Sequence, residues 1–213
     1  MNGDEKTQRG APVRSGKPTP AQAILDVADS LIREQGADGW SLTELAELAA
    51  LPVETVRAEF GSEWEVFAAV IRRDEQGFEA VFKRTQGHPP GERIMRLLEA
   101  CVPDFDWTYW IELWGLALRD ERAAALRVEL DKRFRDLVEE VVRDGVASGE
   151  FEVPDTRVAA ITIATLIDAM ATQATLGDTT VRPNYMLDAC VIVAGSLLGT
   201  GLNLPKLSGA DDA

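Results

Sequence analysis

The stretch from Ser41 to Phe60 constrains this chain more than any other, because its spacing describes two short helices meeting at a tight corner. Ser41 followed by Glu44 is a capping box that opens the first helix, and Leu42, Leu45, Ala46 and Ala49 recur at helical steps to give it one apolar face. Pro52 cannot continue that helix and is well placed to start another. In the second helix Val53, Val56 and Phe60 share a side, which leaves Glu54, Thr55, Arg57, Ala58 and Glu59 pointing outward. A solvent-facing polar rod held by a second helix is the shape that enters a DNA major groove. Two further capping boxes, Thr19 with Gln22 and Ser62 with Glu65, start helices on either side of the corner.

The flanking residues extend the pattern. Ile24 to Gly36, Trp40 to Thr43, Leu45 and Ala46, Thr55 and Val56, Phe60 to Ser62, and Val66 with Phe67 together resemble the N-terminal domain of TetR/AcrR-family transcriptional regulators over about residues 20–75. The resemblance implies an all-α protein of about nine helices: a three-helix, helix-turn-helix DNA-binding domain and a larger helical domain for ligand binding and dimerisation. It also implies that the helix near 52–60 reads DNA. The chain departs from the family's usual residues at Ala50, where glycine is common, at Arg57, where an aromatic is common, at Glu59, where an aromatic or histidine is common, and at Glu63, where lysine is common. In the family the last three often touch phosphates. Carboxylates there add repulsion against a duplex carrying one charge per roughly 1.7 Å.

In chain order, the first helix, about Pro20 to Gln35, stops at Gly36, and a long helix from about Glu63 to Arg84 follows the corner. The segment Gly87 to Gly91 is a linker by composition. The expected division is a flexible basic arm at 1–18, a helix-turn-helix domain with its linking helix at 19–84, a ligand-binding and dimerisation domain at 91–204, and a disordered tail at 205–213. After a helix ending near Val102, Asp106 can cap the next one, on which Trp107, Trp110 and Trp114 fall at i, i+3 and i+7. Such a stripe serves as core or as the wall of a cavity. The family resemblance favours a pocket for an apolar or amphipathic effector, with Met170 and Gln173 as further lining residues.

Glu121 to Ser148 reads as one long amphipathic helix. The order of Trp110 to Trp114, Leu118 to Asp120, and Gly149 to Phe151 is similar to the C-terminal domain of one TetR subgroup. The last two helices, about Asp155 to Leu176 and Asn184 to Gly199, are rich in Ala, Thr, Ser and Gly with few charges. That composition suits a four-helix interface between two chains. The uncharged run Ala189 to Leu204 is short for a membrane span of about 20 residues.

The 213 residues, 46% of them hydrophobic, can bury a full core. No secretory signal is visible at Met1 to Glu5, so a cytoplasmic protein is expected. Cys101 and Cys190 lie far apart in apolar surroundings, which suits buried structural thiols better than a disulfide framework. His88, the only histidine, has no partner for a metal site. The chain shows no Gly-rich phosphate loop and no nucleophile with a histidine partner, so no catalytic residue, cofactor or metal is expected.

The formal charge of −14 counts against nucleic-acid binding, and Lys6, Arg9, Arg14 and Lys17 in the arm soften it. Taken together, these features point to a homodimeric, ligand-responsive repressor of a palindromic, double-stranded operator, with Thr43, Val53, Glu54, Thr55, Arg57, Ala58 and Glu59 at the DNA. The alternative is a dimer of the same fold that has lost strong DNA binding and serves as a small-molecule or protein-binding module.

Overall fold

The computed structural model describes residues 19–102, 107–177 and 183–200. Among these residues it holds nine helices and no strand: α1 (Pro20–Gln35), α2 (Leu42–Leu48), α3 (Val53–Phe60), α4 (Glu63–Thr85), α5 (Pro90–Cys101), α6 (Thr108–Ala117), α7 (Glu121–Ser148), α8 (Thr156–Thr175) and α9 (Pro183–Leu198). The basic arm, the Asp106 cap, the end of the uncharged run at 201–204 and the tail all lie outside the described residues.

Helix starts follow their caps. Thr19 and Gln22 make both halves of a capping box. Ser41 and Ser62 make one half each, accepting from Glu44 N at 3.2 Å and Glu65 N at 3.4 Å. The returning half is absent at Ser41 because the Glu44 carboxylate accepts from Gln35 Nε2 at 2.7 Å instead. Asp120 and Asp155 cap α7 and α8 through two backbone N–H groups each.

The corner between α2 and α3 closes as a Schellman turn. Leu51 N donates to Ala46 O at 3.0 Å and Ala50 N to Glu47 O at 3.1 Å. This places Ala50 at φ +53°, the one left-handed non-glycine residue among those described. A Cβ is strained there, and the bonds of the turn hold it in place. Past the corner, Val56 is buried and Val53 and Phe60 are half-buried, so the inward side of α3 is the one expected from its spacing.

Helices α1 to α4 pack as a head in which α1 meets α2, α3 and α4. Helices α5 to α9 pack around α7, which contacts α5, α6 and α8, while α9 meets α8 and α5. The turn from α7 to α8 presses Phe151 onto the backbone of α7. A Cβ on Gly145 would sit 2.0 Å from Phe151 Cδ2, so only glycine fits. Buried residues from Ile24 to Leu198 form one contiguous cluster through both groups. α8 is long and apolar enough to cross a membrane by length and composition. Its Ala160, Ile163, Ile167 and Ala171 are nonetheless buried within the fold.

Replacing Ala50 by glycine relieves the left-handed strain at an exposed site. Offset by the greater chain entropy of glycine, Ala50→Gly should stabilise the protein by about 1 kcal/mol and raise the melting temperature by roughly 2–4 °C in a calorimetric scan.

Candidate functional site

Two surfaces carry the residues singled out by sequence, and α6 lies between them. The first is the outer side of the head. Glu54, Arg57, Ala58 and Glu59 on α3 are exposed, Thr55 and Val53 are half-buried, and Thr43 on α2 is exposed. Between Pro20 and Ser62 the sequence carries two basic residues, Arg33 and Arg57. Arg33 pairs with Asp29 at 3.2 Å and stacks over the Tyr109 ring at 4.6 Å, leaving Arg57 as the cation of the α3 face. Glu63 is turned away from that face. Its Oε1 accepts from Leu42 N at 3.0 Å, so the carboxylate covers a free N–H at the start of α2. Spacing in sequence gave no sign of this contact, because Glu63 belongs to a different helix from the one it caps.

The second surface is internal. A cavity of about 30 Å³ lies between α4, α6, α7 and α8. Trp107, Trp110 and Trp114 line it together with Phe78 and Phe134, and the acids Glu75, Glu79, Asp131 and Asp168 share the wall. The ring centroids of Phe78 stand 5.7 Å from Trp107, 6.1 Å from Trp110 and 6.0 Å from Phe134. Met170 and Gln173, expected in this lining, do not reach it: Gln173 is exposed on the far side of α8, and Asp168 takes the inward place on that helix.

Two of the three indoles are anchored by hydrogen bonds. Trp107 Nε1 donates to Cys101 O at 2.8 Å and Trp110 Nε1 to Asp74 Oδ2 at 2.9 Å. Trp114 Nε1 is buried and turned toward Asp131, short of full hydrogen-bonding geometry. The Asp131 carboxyl is pushed upward by burial and drawn down, less strongly, by Arg127, Arg135 and the Trp114 N–H. Burial first, and then the Asp131 charge, push Asp168 up to about 7. Burial also raises the Cys101 and Cys190 thiols, which are free, buried and unsuited to act as nucleophiles. Among the described residues no group of His, Cys, Asp and Glu is placed to hold a metal ion, and His88 pairs with Glu92 at 3.0 Å near the protein surface.

The two surfaces are joined through α6. The side of α6 turned from the cavity carries Tyr109, whose hydroxyl donates to Asp29 of α1, and Glu112, which accepts from Ala37 N at 3.0 Å just beyond the end of α1. Arg119, two residues after α6, pairs with Asp38 at 3.4 Å. The linking helix α4 is tied in turn to α7, where Arg133 meets buried Glu75 at 3.0 Å and Arg72 meets Glu129 at 2.9 Å.

This architecture has counterparts of known class. Residues 90–198, just over half the chain, match the C-terminal domain of BetI-type transcriptional repressors. The chain belongs to the TetR family of transcriptional regulators. Solved TetR-like structures share its fold. A TetR transcription regulator from Haloarcula marismortui superposes with a TM-score of 0.75 at 18% identity, over 84% of this chain and 98% of that one. A transcriptional regulator from Saccharomonospora viridis, crystallised in complex with choline, gives 0.72 at 20% identity over 80% and 92%. The TetR-family regulator PfmR from Thermus thermophilus gives 0.62 at 20% identity over 83% and 97%. No curated protein matches the chain in sequence. The relatives are regulators of transcription rather than enzymes.

The Tyr109 hydroxyl bond to Asp29 crosses from the cavity helix to the head in a partly buried setting. Tyr109→Phe removes one hydrogen bond to a charged acceptor, and should cost about 1–2 kcal/mol, read as a melting temperature lowered by a few degrees.

Proposed function

We propose that this TetR-family regulator is a homodimeric, cytoplasmic repressor whose head (19–84) reads a palindromic operator and whose body (91–204) senses a compact organic cation. The observation that carries the proposal is the double attachment of α6: one stripe of this helix walls the cavity, and another holds α1 of the head through Tyr109 and Glu112. A cavity of about 30 Å³ holds one or two water molecules, far below the 300–1,000 Å³ of ordinary ligand sites. An effector therefore enters only by displacing a wall. Displacing α6 shifts the head, and the effector acts by its difference in affinity between the two arrangements.

The lining supports a cation in place of the apolar or amphipathic effector expected from sequence. Aromatic faces attract a positive charge through their quadrupoles, and the acids among them add direct attraction. The choline bound by the Saccharomonospora viridis regulator is a molecule of this class.

At the DNA, the outward face of α3 would lie in the major groove, with Arg57 toward a guanine edge and Glu54 or Glu59 accepting from a cytosine amine. Thr43 and Thr55 would donate to phosphates. A second copy would supply the other half-site. The exposed side of α8 carries Val158, Ile161, Thr162, Thr165, Ala169 and Gln173, and that of α9 carries Tyr185, Ile192, Val193 and Ser196. These two uncharged faces fit a two-fold, four-helix interface.

One observation favours the alternative of a dimer with weak DNA binding. Glu54 and Glu59 flank Arg57 on α3, and the Glu63 carboxylate occupies an N–H at the start of α2 that would otherwise be free for a phosphate. Selecting bound fragments from a random duplex pool at low salt decides between the two readings. Enrichment of a palindrome is expected, with Arg57→Ala weakening binding to it by about 1–3 kcal/mol. A pool that enriches nothing would leave the weak-binding alternative.

The dimer has its own measurement. Ile192→Glu places two like charges near the proposed two-fold axis, and sedimentation equilibrium should then show the mass of one chain, 23.2 kDa, where the unaltered protein shows twice that.

A further inference from the structure

The acids of the cavity are not equivalent. Asp131 has Arg127 at 3.0 Å and Arg135 at 3.9 Å, Glu75 has Arg133 at 3.0 Å, and Glu79 has Lys83 at 3.5 Å. Asp168, on α8, faces the same space with no hydrogen bond to its carboxyl and no cation within ion-pair distance among the described residues. The groups that bear on it come from every neighbouring helix. α7 supplies Asp131, Arg127 and Arg135, α4 supplies Glu75 and Glu79, α6 supplies the Trp114 N–H, which bears on Asp131, and α5 supplies the buried thiol of Cys101.

An ionised Asp168 carboxylate has no ion-pair partner of its own: Arg135, which also lines the cavity, is paired with Asp131 at 3.9 Å, and with Arg127 it reaches Asp168 only as a longer-range attraction. On these observations we propose that Asp168 is the residue that selects a cation over a neutral molecule of the same shape, releasing its proton to solvent as the cation arrives. The inference rests on the cation reading of the cavity and assigns its specificity to one side chain. The aromatic rings attract a cation at every pH, whereas the contribution of Asp168 depends on its ionisation. Its carboxyl is pushed up to about 7, so below that pH an incoming cation must displace the proton, and above it the charge is already present. Affinity for a cation therefore rises with pH and levels off above about 7, while affinity for a neutral isostere does not rise.

The test uses the full-length protein and its tryptophan fluorescence. Choline and 3,3-dimethylbutan-1-ol, which replaces the ammonium nitrogen by carbon, are titrated between pH 5.5 and 8.5. Choline should bind about tenfold more tightly at pH 8 than at pH 6, with no matching change for the alcohol. Asp168→Asn should lose that pH dependence and at least tenfold of the preference for choline, and Asp168→Glu should restore both. Choline binding with a flat pH profile, or an unchanged preference in Asp168→Asn, would overturn the role of Asp168 while leaving the cation reading intact. If Asp168→Asn does not fold, the pH profiles of the two ligands on the unaltered protein still decide. Failure of choline to bind at any pH would remove the cation reading and this inference with it.

Discussion

Helix α6 has ten residues and is held on two sides, and the behaviour of the whole fold follows from that. Trp110 and Tyr109 are adjacent in sequence, hence about 100° apart around the helix, so one faces the cavity while the other faces α1. Glu112 and Trp114, two residues apart, fall on nearly opposite sides of the helix for the same reason. A helix of this length is stiff, because each backbone N–H is tied to the carbonyl four residues before it. A push on any one of the tryptophans is therefore not absorbed within α6. Its ties run to Asp29 and Ala37 in the head and, through the Trp110 bond to Asp74, to the linking helix α4, so these are the points the proposed displacement would reach. Phe78 lies against Trp107, Trp110 and Phe134 at once, so α4, α6 and α7 meet around a single ring.

The charge of the head changes what such a displacement controls. A family member with several cations at the duplex draws much of its affinity from phosphates, and that share depends little on register. Here Arg57 stands between Glu54 and Glu59, and Glu63 is spent on the backbone of α2. With the electrostatic contribution of the folded head small or unfavourable, base contacts would have to carry a larger part of the proposed operator binding. Those contacts are the ones most sensitive to where α3 sits. On that proposal, a small shift of the head would have a larger effect on operator affinity than in a more basic relative.

Much of the fold was legible in the sequence because it is written in local signals. The three N-cap residues, Pro52 and Gly36 set helix ends within a residue or two, and the apolar steps of Val53, Val56 and Phe60 fixed which side of α3 faces out. The tryptophan stripe was legible as a stripe, and its position against Phe78 and Phe134 was not, since those rings come from α4 and α7. On α8 the expected lining residues Met170 and Gln173 are not among those that wall the cavity, where Asp168 stands: Met170 is half-buried against the core and Gln173 is exposed. Both sides of that helix are small and weakly polar, so periodicity carried little information about which was buried. Glu63 was read as a surface charge for the same reason: its partner is an N–H on another helix, invisible to spacing.

The small volume of the cavity ties these points together. A space near 30 Å³ walled by a weakly bonded indole N–H and a carboxyl with no ion-pair partner of its own is a costly arrangement, because each polar group has given up water for an incomplete replacement. The closed state tolerates this through the packing of the rings around it and through the ties from α6 to the head. On the proposed function, a cation that enters would supply charge at the acids and at the same time spread the rings apart. Its affinity would be set by two opposed quantities, the electrostatic gain at the acids and the packing lost at the walls. Any change that loosens the ring cluster would raise affinity and weaken the push on α6 together, so tight packing around Phe78 is what the proposed coupling of body to head requires.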